Sequence, residues 1–181
     1  MRLFVFAAPI IALLAACAPP AEPVSSEPVL ITVFHEGGAA TPAPLGLYNS
    51  WGLAGPATAL TAADLAALPQ SVIETGYPLG ADPSSWSGPR LSLLLAEMGA
   101  PGAGARLTAV DGYQVEVTAE ALTAHEPILA LRRDGEPLAI GGLGPAILIW
   151  PRDTDAALAG MSDDQWPWAV FAVEVLEPGD G

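Results

Sequence analysis

Two Asp-Gly dipeptides, Asp111-Gly112 and Asp134-Gly135, each sit between short apolar runs, and no other feature limits the fold of this chain as tightly. Asp-Gly supplies the backbone twist that a tight hairpin turn needs. Residues 106–110 and 113–117 are therefore expected as paired strands, and residues 128–132, apolar at alternate positions, lead into a second tight turn. Strands are also expected at 29–34, at 146–150 after the glycine-rich turn GGLGP, and at 169–176, where Phe171, Val173 and Val175 would share one face and Glu174 the other. Helices are few and short. In LTAADLAALP, Thr61 can cap the helix, Asp64 can bond back to it, Leu60 and Leu65 are spaced as a hydrophobic staple, and Pro69 ends the run. Thr118 caps another helix that stops before Pro127. Strands outnumber helices and hairpins are frequent, which defines an α+β class: one domain, a mixed and mostly antiparallel sheet, and a few short helices. A doubly wound parallel fold does not suit this pattern.

The stretch SVIETGYPLGADPSSWSGPRLSLLLAEMG, residues 71–99, is where function is expected. Val72 and Ile73 begin a strand, and a run of Pro, Gly, Asp and Ser is expected to form a long loop ending at Trp86-Ser87-Gly88-Pro89. Pro89 suits a first helical position, Leu91, Leu94, Leu95 and Met98 recur at helical spacing, and Gly99 stops the helix. A long loop held between two buried elements is a candidate binding site, with the helix as its support. A second irregular loop is expected over residues 35–59, which hold Tyr48 and Trp51.

The chain opens with MRLFVFAAPIIALLAAC, one Arg followed by an apolar run too short to span a membrane. Leu14-Ala15-Ala16-Cys17 is similar to the bacterial lipobox, which implies removal of residues 1–16 as a signal peptide and lipid attachment at Cys17, the only cysteine in the chain. Residues 17–28, rich in Pro, Ala, Ser and Glu, read as a disordered tether, and residues 29–178 as the folded domain. The expected place is the cell envelope, anchored on the periplasmic side; Ala18 after the cysteine favours the outer membrane over the inner. With 20 acidic and 6 basic residues, a net charge of -14 and no Lys, the chain offers no basic footprint for nucleic acid.

Familiar catalytic machinery is missing from the sequence. With His35 and His125 as the only histidines and no thiol besides Cys17, metal-ligand spacing is absent and no metal site is expected. No nucleophile elbow or P-loop occurs, Gly141-Gly142-x-Gly144 precedes a strand rather than following one, and Asp153-Asp155 and Asp163-Asp164 lie in polar segments. No catalytic residue is assigned. Two features stand out. The aromatic set of Trp51, Trp86, Trp150, Trp166, Trp168, Tyr77 and Tyr113 falls at loop edges and strand ends, as pocket walls or as core packing. Arg90 at the first turn of the 91–98 helix and Arg152 after a buried strand suit either a bound anion or an ion pair with a nearby Asp.

In order and spacing, PVLITV, TAADLAALP, the strand leading to Glu74, WSGPRLSLLLAEMGA, DGYQVEV, ILALRRDGEPL, GPAILIWP and WAVFAVEVLE resemble the oxidoreductase molybdopterin-binding domain of the sulfite oxidase family. The resemblance implies an α+β domain with a cleft for molybdopterin, whose molybdenum is ligated by a cysteine thiolate near Glu74-Thr75. This chain has Thr75 there, and a neutral hydroxyl is a poor ligand for a metal that prefers soft thiolate. Ile147 stands where the family often has an Arg, and DDQWPWAVF lacks the usual Lys. Enzymes of this type are exported folded through the twin-arginine route, whereas this leader has Arg2 alone.

The expectation that follows is a lipid-anchored, non-catalytic binding module on an oxidoreductase-like fold. Its cleft would be built from Thr75, Tyr77, Trp86, Arg90, Tyr113, Trp150 and Arg152 for a small ligand or an envelope protein partner. No cofactor is expected from the residues themselves, while the resemblance keeps molybdopterin open. The alternatives are a molybdopterin-dependent oxidoreductase and a structural or assembly lipoprotein.

Overall fold

The computed structural model describes residues 27–40 and 46–176, so the leader, Cys17 and most of the tether lie outside the described residues. In chain order the elements are β1 (Val29–Ala40), α1 (Gly46–Ser50), β2 (Pro56–Thr61), α2 (Ala62–Ala67), β3 (Gln70–Gly76), β4 (Pro83–Pro89) and α3 (Leu91–Glu97). There follow β5 (Gly104–Ala109), β6 (Gln114–Val117), α4 (Ala119–His125), β7 (Ile128–Ala130), β8 (Arg132–Arg133), β9 (Glu136–Pro137) and β10 (Ile147–Ile149). Two 3-10 turns, Ala156–Leu158 and Asp163–Gln165, precede β11 (Val170–Leu176). The α+β class holds, with the strands divided among three sheets: β2-β1-β11-β5-β6, β10-β7 and β3-β4-β8-β9. Pairing is antiparallel throughout except between β1 and β11.

Local chemistry accounts for several of these elements. Gly112 takes a left-handed φ of 88° between β5 and β6, and Asp134 and Gly135, at 52° and 83°, both turn left-handed between β8 and β9, as a two-residue hairpin requires. Thr61 and Asp64 bond reciprocally at the start of α2, and Leu60 and Leu65 are both buried beside them. The Thr118 hydroxyl accepts the Ala121 N–H at the start of α4. One core cluster, including Ile31, Trp86, Leu94, Leu107, Leu129, Ile147 and Val173, joins the three sheets, and a smaller one gathers Phe34, Tyr48 and Phe171.

Four expectations are corrected. Residues 35–59 are not one loop: β1 runs on to Ala40 and β2 begins at Pro56. The continuation depends on Gly38, where an added Cβ would lie 2.4 Å from the Ala57 nitrogen, so only glycine lets β1 close against β2 there. The long loop expected after Gly76 contains β4, paired with β3 from Gln70↔Pro89 to Gly76↔Pro83. Its serines carry little strand propensity, but Trp86 is fully buried and β8 pairs on the other side, so tertiary context decides. Pro89 therefore closes a strand instead of opening a helix, and Arg90 caps α3 without a side-chain bond. Phe171 does not share a face with Val173 and Val175, because the β11–β5 register shifts between Val170 and Ala172 and the alternation restarts.

Candidate functional site

The end of β3 is gripped from two sides. On one side the Trp86 indole N–H, delivered by β4, donates to the Thr75 carbonyl at 3.0 Å. On the other, Arg152 donates through Nη2 to the Gly76 carbonyl at 2.7 Å, and the Gly76 N–H donates to the Asp153 carboxylate at 2.8 Å. Arg152 is buried, and its Nη1 also donates to Asp163 at 2.7 Å and to the Met161 carbonyl at 3.1 Å. This guanidinium lies 4.4 Å from the centre of the Trp166 ring, and Tyr77 stacks on Trp166 at 5.6 Å and 16°.

In front of this wall lies a cleft of about 280 Å³ lined by Tyr77, Ala109, Asp111, Tyr113, Asp163, Asp164, Trp166 and Trp168. The β5–β6 hairpin brings Asp111 and Tyr113 to it, and the second 3-10 turn with the segment after it brings Asp163, Asp164, Trp166 and Trp168. The Tyr113 hydroxyl donates to the Asp164 carbonyl at 2.9 Å and ties the two together. Burial raises the Tyr77 phenol above its ordinary pKa, Asp163 adds to the rise and Arg152 opposes it. Burial works to raise the Asp163 carboxyl as well, but the Arg152 hydrogen bond and the Leu79 N–H outweigh it and hold the group below the ordinary carboxylate value.

Of the residues expected at the site, Tyr77 and Tyr113 line the cleft, and Thr75, Trp86 and Arg152 form the wall behind it. Trp150 is buried and braces the second 3-10 turn by donating to the Gln165 carbonyl at 2.9 Å. Arg90 is not brought to the cleft; it pairs with Glu126 at the end of α4. Asp111, Asp163, Asp164, Trp166 and Trp168 line the cleft without having been assigned to it from the sequence. The signal was the DDQWPW segment, where two carboxylates and two indoles crowd into six residues.

Three buried side-chain polar atoms among the described residues have no hydrogen-bond partner: Thr75 Oγ1, Arg152 Nε and Trp166 Nε1. All three belong to this wall. Unsatisfied buried groups are costly and rare, so their gathering here marks the place where packing was not optimised for stability alone.

The residues present do not fit molybdopterin. Position 75 offers a hydroxyl that is 0% exposed, not a thiolate facing the cleft. The lining carries three carboxylates, and the buried Arg152 guanidinium behind it is committed to Gly76, Met161 and Asp163, so a phosphorylated cofactor would meet repulsion. Among the described residues no group of three or more His, Cys, Asp or Glu is placed to hold a metal ion.

Together the fold and the order of its elements define an α+β domain with a mixed, mostly antiparallel set of sheets, as expected from the sequence, and that fold is shared with a solved oxidoreductase structure. The particular similarity is to the sulfane dehydrogenase SoxCD from Paracoccus pantotrophus, with a TM-score of 0.55 and 17% identity over 86% of this chain and 40% of that one. This chain thus spans 40% of the SoxCD chain it matches, and the likeness is one of fold. No family model matches the chain, and no curated protein matches its sequence.

Proposed function

We propose that this chain is a lipid-anchored cell-envelope protein, held on the periplasmic side through Cys17, and that its oxidoreductase-type domain is a non-catalytic binding module. The observation that carries the reading is the cleft wall: aromatic rings and carboxylates at the surface, three unpartnered polar atoms behind, and a buried threonine where the fold's enzymes would present a thiolate. Cavities for drug-sized ligands commonly run from about 300 to 1,000 Å³, and this cleft, at about 280 Å³, lies just below that range, at the size of a smaller molecule.

A molybdopterin-dependent oxidoreductase is the second reading, and the fold likeness to sulfane dehydrogenase favours it. The two separate on the content of protein purified from the envelope of its own host. The binding-module reading expects neither molybdenum nor pterin; stoichiometric amounts of both would overturn it.

A further inference from the structure

The cleft has a one-sided chemistry. Its lining offers π-faces and carboxylate acceptors, and it presents no Lys, His, Arg or amide side chain. Asp163 is neutralised by Arg152, but Asp111 and Asp164 take part in no ion pair among the described residues. Their contacts are local: Asp111 accepts the Tyr113 N–H and Asp164 accepts the Ser162 hydroxyl. Tyr113 and Trp168 stand 46% and 43% exposed at the mouth, and because the Tyr113 hydroxyl is already committed to Asp164, it is the ring that remains to be used. Trp166 lines the same cleft but is buried, with its ring already engaged by Arg152 and Tyr77, so the exposed rings of Tyr113 and Trp168 are the ones open to a ligand.

From this donor set we infer that the cleft binds a small organic cation of the alkylammonium class, an inference that rests on the binding-module reading above. Ring faces carry negative potential and attract a soft, weakly hydrated cation, and two uncompensated carboxylates beside them add long-range attraction. An anion would be repelled by the same groups. Among the described residues no three His, Cys, Asp or Glu side chains are grouped to hold a metal ion there.

The test is calorimetry and tryptophan fluorescence on the full chain with choline and with its uncharged carbon isostere, dimethylbutanol. Choline is expected to bind about tenfold or more tightly than the isostere. The preference should shrink as salt is raised, and Trp168→Ala and the pair Asp111→Asn with Asp164→Asn should each weaken choline by about tenfold. Equal binding of the two probes, or wild-type binding by these variants, would overturn the cation assignment. Should choline fail while glucose or sulfate binds the cleft, the cation class falls and the binding module stands. If no cationic, neutral or anionic probe perturbs the indoles or releases heat, both fall.

Discussion

A hydroxyl sealed from water without a partner costs about 1–3 kcal/mol, and Thr75 carries one at 0% exposure. Thr75→Val keeps the shape and removes the cost, so urea unfolding should show a gain of about 1 kcal/mol; a loss of stability would mean that the hydroxyl is satisfied. The carboxylates make the opposite kind of contribution. Asp163 is held below its ordinary value of 3.8 by Arg152 and Leu79 against the push of burial. Asp155 is held low chiefly by the His125 hydrogen bond, and Asp64 by the Thr61 side chain. A lowered folded-state value gives stability that is present above the unfolded value and is lost as pH falls through the folded one. The urea midpoint should therefore fall as pH is lowered from about 4 to about 2, and Asp163→Asn should flatten that fall; an unchanged profile would remove Asp163 from the account. At this scale the sequence spoke through residue type. Tyr77, Tyr113, Trp86 and Arg152 stood out as large or charged groups at element ends, but Asp163 looked like any solvated acid. What sets it apart is Arg152, a contact made only after folding.

Elements were legible where the cause is local. The Asp-Gly turns, the Thr61 box and the Thr118 cap need only neighbours in sequence. β4 was missed because its serines have no local reason to extend, and it exists by pairing on both sides and by burying Trp86. Gly88 shows how tightly it is held: an added Cβ would lie 2.0 Å from the Leu129 carbonyl oxygen of β7. Gly88→Ala forces β4 off β7 and should cost about 3 kcal/mol or more in urea unfolding. A cost under about 0.5 kcal/mol would mean that the two strands part freely.

For the whole molecule, the α+β class followed from counting turns and strands, whereas the division into three sheets did not, because it depends on pairings between distant segments. The proposed anchor at Cys17 belongs to this scale as well. Cys17→Ser is expected to move the protein from the membrane fraction to the soluble periplasmic fraction, and retention in the membrane would point to a different attachment. The placing of β11 bears on how such a chain comes to be folded. It is the last of the described strands, yet it lies at the middle of the five-stranded sheet, between β1 and β5. The β1–β2 and β5–β6 pairs each join neighbours in sequence and can form early. Those halves have no centre until β11 joins them. Pairing between strands so far apart in sequence is slow to form, so the centre of this sheet is the part completed last.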